Sequence, residues 1–296
     1  MFRANISESE LVVPIIATFV CAHNPILAYV QNTSVNCYNA RMNREIIDTL
    51  NRLNATFYRE NSESFDRTRQ SAWPGWERVV KKLMICGEEL KNDGNQYVYR
   101  LLDAACGNMR FEKYLLECLP DIKLQAICVD SCDELAISID ECECCNCDIV
   151  CNLASGTPLD SFWDHNYDMV VSFGFFHHIP SAQLRLRLLE ELIVATKPGG
   201  LIAISLWRFA DDEKTRAKAE RTTSEACSVL SLSELEEGDY LLGWNDVPGV
   251  YRYCHSFDDS EIESLIAGVA SNVRLDDRFK ADGRSGDSNE YLVFRR

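Results

Sequence analysis

The sequence predicts an α/β fold, doubly wound around a mostly parallel sheet, from three units in which a strand ends at a loop. The first is LLDAACGNMRFEKYL (Leu101–Leu115), where an apolar run ends at Asp103, passes a small-residue turn and enters an amphipathic segment. The second is YDMVVSFGFFHHIPS (Tyr167–Ser181), and the third is LIAISLW (Leu201–Trp207), which follows Lys197–Gly200. Strands that alternate with helices favour right-handed crossovers and a parallel sheet. Such a sheet binds nucleotide-type ligands at the carboxyl ends of its strands.

Seven strands and their connecting helices are predicted in order along the chain. A helix opens at Met42, after which Ile46, Ile47, Leu50 and Leu53 recur at helical spacing, and another follows the turn at Trp73-Pro74-Gly75. The predicted strands are Tyr97–Leu102, Lys123–Val129, Cys145–Val150, Tyr167–Phe173, Leu201–Trp207, Asn272–Phe279 and Glu290–Phe294. The other predicted helices are Arg110–Cys118, a short one from Ser131, Gln183–Thr196 (stopped by Pro198-Gly199-Gly200) and Ser256–Val269.

The domain organisation follows from where this pattern begins and where it changes. Residues 1–41 fit it poorly and are expected to be an extension, to which we assign no function. Residues 42–95 are expected to form a helical lid segment, and residues 96–296 the main domain. Phe209–Tyr240 is charged and helical with no strand pattern, which predicts an insertion over the substrate side, spanning residues 209–250.

The charge balance argues against binding of a polyanion through the overall field. Thirty Lys and Arg against 46 Asp and Glu give a net charge of −16. The charge is uneven, because Leu124–Leu184 has ten acidic residues and no Lys or Arg, whereas Arg41–Lys82 has nine basic and six acidic residues. A surface that faces RNA would therefore use the N-terminal segment.

The 14 cysteines are not spaced as a secreted disulfide framework, and several lie in apolar runs, so reduced thiols are expected. Structural zinc usually takes two separated pairs of cysteines. Here five crowd one stretch that runs into a strand, where alternate positions point to opposite faces: Cys142, Cys144, Cys145, Cys147 and Cys151. No metal site is expected.

The apolar stretch Leu11–Ala22 is too short to span a membrane. Glu8 and Glu10 precede it where a signal peptide would carry basic residues. A soluble, cytoplasmic protein without a membrane partner is therefore expected.

Two carboxylates at predicted strand ends are candidate ligand-binding groups. Asp103 is followed by the turn at Gly107, which lets the backbone approach a ligand at the start of a helix. Asp130 ends the next strand 27 residues later, where a carboxylate often chelates ribose hydroxyls. An ordinary strand-turn-helix and a surface aspartate are the alternatives.

The loop Ser172-Phe173-Gly174-Phe175-Phe176-His177-His178 is a third candidate feature. Its glycine and aromatic residues could wall a planar ligand, and His177 could face a substrate. Alternatively, both histidines pack on the sheet at the start of a helix.

The motifs DAACGNMRF, Asp130, YDMVVSFGFFHHIP and KPGG, in this order, resemble the class I S-adenosylmethionine-dependent methyltransferases over roughly residues 95–207. The resemblance implies a Rossmann-like fold and S-adenosylmethionine as the cofactor. It implies that the loop around Asp103–Gly107 holds the methionine part and that Asp130 holds the ribose. The resemblance implies ten cofactor-binding residues: Asp103, Ala105, Gly107, Asn108, Asp130, Ser131, Asp148, Ile149, Ser172 and Phe173. Among them, Asp148 and Ile149 would flank the adenine, and Ser172 and Phe173 would lie beneath the methionine amine. The family's flanking glycines are Ala105 and Met109 here, and Met109 needs room beside the cofactor.

The flanking segments resemble a narrower family, the wobble-uridine tRNA carboxymethyl methyltransferases. That family's Phe-x-x-Thr-Arg…Trp-Pro and Arg/Tyr-Tyr-x-His-x-Phe segments correspond to SFDRTRQSAWP (Ser64–Pro74) and RYCHSF (Arg252–Phe257). The resemblance adds Arg69 and Trp73 to the cofactor-binding residues. It also implies tRNA as the substrate and a small zinc-binding activator subunit as a partner. These aromatic residues could instead form only the core of a lid.

The catalytic residues depend on the acceptor. A carboxylate acceptor, as the tRNA resemblance implies, is already ionised and needs no general base, so Arg69, Arg252 or His255 would position or neutralise it. A hydroxyl or amine acceptor would make His177 the candidate base. Three hypotheses follow: a tRNA methyltransferase, a methyltransferase of a small metabolite selected by residues 209–240, and a silent binding protein with the same fold.

Overall fold

The structure, a computed structural model, describes residues 42–88, 97–133, 135, 139–233, 235–245 and 247–296. Its main sheet has seven strands: β1 (Val98–Ala104), β2 (Lys123–Asp130), β3 (Cys142–Asn146), β4 (Tyr167–Ser172), β5 (Thr196–Trp207), β8 (Arg274–Ala281) and β9 (Asn289–Arg295). Their order across the sheet is β3-β2-β1-β4-β5-β9-β8. The first five are parallel, and β9 pairs antiparallel with both β5 and β8. The predicted seven-stranded, mostly parallel sheet is confirmed.

Seven helices connect and cover the strands in the described residues. They are α1 (Arg44–Arg67), α2 (Pro74–Glu88), α3 (Arg110–Cys118), α4 (Ile149–Ser155), α5 (Ala182–Ala195), α6 (Glu213–Leu230) and α7 (Asp259–Val269). Short 3-10 turns lie at Leu159–Ser161, Phe176–His178 and Phe209–Asp211. α1 and α2 are the two helices predicted before the first strand, and α1 runs to Arg67 without a break.

The apolar residues of the central strands supply two core layers, one on each face of the sheet. Leu102 and Val170 belong to one layer, and Leu101 and Met169, their neighbours in sequence, belong to the other. The alternation follows from the two-residue repeat of a strand. Because both faces are covered by helices, these strands are apolar throughout, as parallel strands usually are.

The predicted strand Cys145–Val150 is wrong in position. The strand β3 ends at Asn146, and residues from Ile149 form α4. The reason is Asp148, whose side chain accepts the backbone N–H of Cys151 at 2.8 Å and caps the helix.

The region predicted to be a helical insertion contains α6 but also strands that the pattern did not reveal. β6 (Asp239–Gly243) and β7 (Tyr251–His255) form a separate antiparallel hairpin. β7 contacts α1 and the 3-10 turn Phe176–His178. This hairpin brings the RYCHSF segment to the edge of the site described below.

Some expectations fall outside the described residues: the extension at residues 1–41, the end of the lid segment at 89–95, and much of the short helix from Ser131. Within the described ranges, no helix combines the length and the apolar character needed to cross a membrane.

Candidate active site

A cavity of about 970 Å³ lies at the carboxyl ends of the parallel strands. Its sheet wall is formed by the segments that follow β1, β2, β3 and β4, which the parallel topology brings to one edge. Its opposite wall comes from α1, the segment between α1 and α2, and β7. The residues in this lining that the sequence pointed to are Arg69, Trp73, Ala105, Gly107, Asn108, Asp130, Ser131, Asp148, Ile149, Phe173, His177 and Arg252.

Asp130 holds the loop after β1 against the end of β2. Its carboxylate accepts the N–H groups of Gly107 and Cys132, each at 2.9 Å. Burial raises the pKa of Asp130, and these amide bonds offset part of that rise. Gly107 has a φ of +53°, and a Cβ there would meet nothing within 4 Å, so its backbone borders open space. Each Asp130 oxygen keeps a further lone pair, which suits a diol such as ribose.

Asp148 and Ile149 lie side by side where β3 leads into α4. The Asp148 carboxylate accepts the Asn51 amide at 2.8 and 3.1 Å, so α1 closes the cavity on this side. Ile149 is buried and presents apolar surface to the same cavity. A carboxylate beside an apolar side chain suits a purine, which has polar edges and apolar faces.

Asp103 lies behind the loop, outside the lining of the main cavity. It borders a neighbouring cavity of about 40 Å³, which also touches Arg110 and Trp73. One Asp103 carboxyl oxygen is buried without a hydrogen-bond partner. Burial and the adjacent Glu112 hold the pKa of Asp103 well above its usual range. An acid and a guanidinium around one small space suit the amino and carboxyl groups of an amino acid.

The loop after β4 is shaped by Gly174 and Trp73. A Cβ on Gly174 would meet the Trp73 ring at 3.0 Å, so the indole lies directly on this glycine. Phe173 lines the cavity. The side chain of Ser172 is buried and donates to the Ala104 carbonyl at 2.8 Å, which ties β4 to β1. Ser172 thus supports the loop from behind.

The two positions where the family has glycine both have positive φ here. Ala105 has φ +73° and Met109 has φ +54°. The Met109 side chain is fully buried, and its sulfur accepts the Cys144 thiol at 3.7 Å. Met109 is absent from the lining of the cavity. The methionine therefore packs in the core and leaves the space beside the loop open.

The segment between α1 and α2 is fastened over the loop after β1. Asn108 donates to the Asp66 carboxylate at 2.6 Å and to the Arg69 carbonyl at 3.1 Å. Arg110 donates to the Ser71 carbonyl at 2.8 Å. Residues of the loop thus hold the segment between α1 and α2 against this side of the cavity.

Arg69 and Arg252, hereafter the arginine pair, lie among aromatic side chains on the opposite wall. The Arg69 guanidinium lies 3.5 Å from the Phe65 ring centre. Arg252 is only 6% exposed, and its guanidinium lies 5.3 Å from the Trp244 ring and 5.8 Å from the Trp207 ring. Such contacts stabilise a cation but leave its charge unneutralised.

The arginine pair has no carboxylate partner among the residues that the structure describes. The bonds recorded for its guanidinium groups go to the hydroxyl oxygens of Thr68 and Tyr58, and Arg252 Nε is buried without any partner. Burial and repulsion by Arg252 lower the pKa of Arg69 to about 10, which still leaves it charged at neutral pH. Buried charges are normally paired. The pair is therefore suited to an anionic ligand.

His177 lines the cavity between His178, at 4.2 Å between ring centres, and Trp207, at 5.1 Å. Its Nδ1 is buried without a partner. Burial, together with His178 and Arg252, holds the pKa of His177 well below its ordinary value. The ring is therefore neutral at pH 7 and a weak proton acceptor.

The ligand atoms of His177, His178 and Cys254 lie within 4.8 Å of one another. Both ring nitrogens of His178 already have partners, in Tyr58 and Tyr253. The arginine pair adds positive charge nearby. This environment favours neutral, hydrogen-bonded histidines over cation ligands.

His255 is the one proposed catalytic residue that the structure does not bring to the cavity. It is buried at the end of β7, with Nδ1 2.7 Å from Asp239 and Nε2 2.5 Å from Glu261. Arg185 donates to the other Glu261 oxygen at 2.8 Å. This network joins the β6–β7 hairpin to α7 and α5, so we assign His255 a structural role.

Sequence reasoning missed several cavity residues on α1 and the hairpin. They are Asn51, Asn54, Tyr58 and Trp244. His178, in the 3-10 turn after β4, also lines the cavity, although only His177 was expected to face a substrate. Those on α1 read as ordinary helix residues, and the hairpin strand before Trp244 was not recognised. Only one sequence feature could have indicated them: the polar side chains of α1 lie outside the apolar stripe that its helical periodicity defines.

Comparison with known proteins identified a matching family and similar chains. Residues 102–204 match a family described as a methyltransferase domain. A protein of Encephalitozoon cuniculi that is named as a methyltransferase is 27% identical over 204 residues, 68% of this chain and 78% of that protein. The 1,6-didemethyltoxoflavin-N1-methyltransferase of Burkholderia thailandensis, with S-adenosylhomocysteine bound, has a TM-score of 0.50 at 14% identity, covering 87% of this chain and 92% of that one. A methyltransferase of Methanosarcina mazei has a TM-score of 0.49 at 16% identity, covering 68% and 94%.

The residues at the strand ends fit the parts of S-adenosylmethionine. Asp130 offers a diol acceptor, Asp148 and Ile149 an adenine-sized edge, and the Asp103 cavity an amino-acid site with a free carboxyl oxygen. The open space at Gly107 would admit the ligand against the backbone. Together with the matched domain, this makes the chain an S-adenosylmethionine-dependent methyltransferase.

Proposed function

We propose that this methyltransferase esterifies a carboxylate and that the carboxylate belongs to a modified wobble uridine of tRNA. The observation that carries the proposal is the arginine pair, in which the buried Arg252 and the half-buried Arg69 both line the cavity and have no carboxylate partner among the described residues. An acceptor carboxylate would supply the missing counter-charge. Charge-assisted bonds between guanidinium and carboxylate are among the stronger ones in proteins.

The chemistry of a carboxylate acceptor agrees with the state of His177. A carboxylate is ionised at neutral pH and needs no general base. His177, the ring placed to act as one, is neutral with a pKa well below its ordinary value. A hydroxyl or amine acceptor would require a stronger base than this.

In the mechanism the protein's residues bind, orient and exclude water. The bound cofactor supplies an electrophilic methyl group on a sulfonium. Asp130 and Asp148 would hold its ribose and adenine, and the small cavity beside Asp103 would hold its amino-acid group. The arginine pair orients the acceptor carboxylate, and Trp73 with the lid segment keeps water out, since displacement requires an aligned nucleophile in a dry site.

The case for tRNA rests on the resemblance of the flanking segments and on α1. The exposed arginines of α1 are Arg44, Arg52, Arg59 and Arg67, spaced seven or eight residues apart and so on one side of the helix. Arg59 also borders the cavity. Phosphate contacts by such side chains would oppose the repulsion expected from a net charge of −16.

The test is methyl transfer to tRNA that carries 5-carboxymethyluridine, compared with the same tRNA unmodified and with the free nucleoside. It is run with the chain alone and with the small zinc-binding subunit that the resemblance implies. Methylation of the modified tRNA is expected, with base-labile methyl esters as product. Arg252→Met should lower kcat/KM by roughly a hundredfold, because it removes a bond to a charged group. Arg221→Met, exposed and outside the cavity, is the control.

Two outcomes would contradict the proposal. Methylation of unmodified tRNA would show that the carboxylate is not the acceptor. Equal kcat/KM for the modified tRNA and the free nucleoside would favour the alternative of a small-molecule acceptor. His177→Ala separates the chemistries: a mild loss supports the carboxylate, whereas a loss of several orders of magnitude supports base catalysis.

A further inference from the structure

Three hydrogen bonds and the backbone between Arg252 and Tyr253 form a closed ring on the α1 side of the cavity. Arg252 Nη1 lies 3.5 Å from the Tyr58 hydroxyl, which lies 2.6 Å from His178 Nε2. His178 Nδ1 lies 2.9 Å from the carbonyl oxygen of Tyr253, the residue after Arg252 in β7. The ring thus begins and ends on β7 and passes through α1 and the 3-10 turn after β4.

The direction of these bonds follows from the groups at the two ends. A guanidinium only donates, and a carbonyl oxygen only accepts. Tyr58 therefore accepts from Arg252 and donates to His178 Nε2, and His178 donates from Nδ1 to Tyr253. This direction requires a neutral His178 with its proton on Nδ1.

The ionisation of the groups agrees with that direction. Burial and Arg252 lower the pKa of His178 to about 3, against the opposing effect of the Tyr253 carbonyl. Burial raises the pKa of Tyr58 to about 12. At neutral pH both side chains are uncharged, so His178 Nε2 is free to accept.

Asn54 holds the strand itself. Its Oδ1 accepts the Tyr253 N–H at 2.8 Å, and its Nδ2 donates to the Tyr253 carbonyl at 3.2 Å. The backbone next to Arg252 is therefore fixed without any help from Tyr58. What Tyr58 adds is a bond to the Arg252 side chain, whose Nε has no partner.

We propose that Tyr58 and His178 are positioning residues, which together hold the Arg252 guanidinium toward the acceptor. The inference rests on the proposed function, in which Arg252 binds the acceptor carboxylate. An arginine side chain loses much rotamer freedom when it binds, and holding one of its nitrogens beforehand reduces that cost. His178 acts on Arg252 indirectly, because it orients the Tyr58 hydroxyl.

Two substitutions of His178 separate this role from a merely structural one. His178→Gln places a carboxamide near the Nε2 position, so it can still accept from Tyr58 but loses the bond to Tyr253. His178→Asn places a carboxamide near Nδ1, so it keeps the bond to Tyr253 and loses Tyr58. Tyr58→Phe removes the hydroxyl directly, and Tyr240→Phe, outside the cavity, is its matched control.

With tRNA carrying 5-carboxymethyluridine, Tyr58→Phe and His178→Asn should each raise the acceptor KM roughly tenfold. His178→Gln should raise it less than about threefold, and the double variant Tyr58→Phe/His178→Asn should be no worse than either single variant. The Kd for S-adenosylhomocysteine should change in none of them, since the ring lies on the wall opposite Asp130. The reverse order, with His178→Gln harmful and His178→Asn harmless, would overturn the proposal.

A second measurement is independent of the acceptor. Nitrogen-15 NMR of the free protein should show His178 as a neutral ring with its proton on Nδ1 at pH 7. Tyr58→Phe should shift the Nε2 resonance and leave Nδ1 bonded. A proton on Nε2, or a charged ring at neutral pH, would refute the ring whatever the substrate proves to be. If the NMR result holds but modified tRNA is not methylated, the proposed function fails and the hydrogen-bond ring stands.

Discussion

Replacement of His255 by glutamine tests whether this residue acts in catalysis or in folding. His255 is 1% exposed and lies between two carboxylates, Asp239 at 2.7 Å and Glu261 at 2.5 Å. Burial and Arg185 lower its pKa, but the bonds to Asp239 and Glu261 outweigh them, so the pKa of His255 lies above its ordinary value. In His255→Gln, one neutral bond can persist while the positive charge between the carboxylates is lost.

The size of the effect follows from these contacts. Two bonds between charged groups contribute about 1.5–3 kcal/mol each, and a neutral replacement retains about 1 kcal/mol. The free energy of unfolding should therefore fall by about 3 kcal/mol, which corresponds to a drop of roughly 8 °C in Tm for a domain of this size. The loss is large because the carboxylates stay buried after their partner is removed.

The difference in unfolding free energy between wild type and His255→Gln should also depend on pH, and the direction of the pKa shift of His255 sets the sign of that dependence. A raised pKa means that the folded state holds the proton more tightly than the unfolded state, so the stabilisation is complete below about pH 6.5. It is lost as pH rises through the pKa of folded His255. Urea unfolding should therefore show the largest gap between wild type and His255→Gln near about pH 6, and a smaller one near about pH 9.

The activity of His255→Gln tests whether His255 has only a structural role. Measured well below Tm, the kcat of His255→Gln should stay within about threefold of wild type, because the side chain does not reach the cavity. A loss of activity of several orders of magnitude with unchanged stability would show that His255 acts in the chemistry. A stability gap that does not vary with pH would show that folding does not shift the pKa of His255, and a gap that grows as pH rises would show that the folded protein holds the ring neutral.

Two further predictions concern the cofactor site. Asp130→Asn should weaken binding of both S-adenosylmethionine and S-adenosylhomocysteine about a hundredfold in calorimetric titration, because the Asp130 carboxylate would accept the ribose hydroxyls. Asp160→Asn, exposed and outside the cavity, is the control. Equal affinities of Asp130→Asn and wild type would contradict the assignment. Gly174→Ala places a side chain at φ +72° and 3.0 Å from Trp73, whereas Gly249→Ala meets a similar φ of +82° in open space. Both should lose about 1–2 kcal/mol of stability, but only Gly174→Ala should weaken cofactor binding; equal affinities in the two variants would show that Trp73 does not help to close the site.

The sheet and its strand-end loops could be predicted because they depend on local patterns. Two apolar runs, one ending at Asp103 and one at Asp130, each predict a strand that ends at a loop. Both strands lie where the pattern placed them, and the loop at Gly107 follows the first. The helix Arg110–Cys118 has the bounds that periodicity predicted. Cys145–Val150 failed because apolar residues at a helix start resemble a short buried strand, and only the cap at Asp148 distinguishes them.

The role of individual polar residues was harder to predict, because it depends on contacts between distant segments. His255 and Arg252 stand three residues apart in the same motif, yet one is buried between carboxylates and the other faces the cavity. Asp103 turned out to lie behind the loop, in a neighbouring small cavity. No sequence pattern reveals which side chains lack a partner, because the partner comes from elsewhere in the chain.

The sequence by itself determined the α/β class, the parallel direction of the central strands and the sheet edge at which a nucleotide-type ligand is expected, since periodicity and turn chemistry act over a few residues. Only the tertiary structure decided that Arg69 and Arg252 both lie over the Phe65 ring, and that hydrogen bonds link Tyr58 and His178 to Arg252 and Tyr253 of β7. These residues come from segments separated by up to 195 positions in the chain, from Tyr58 to Tyr253. Their proximity follows from how α1 and the β6–β7 hairpin pack, and packing is a property of the whole fold.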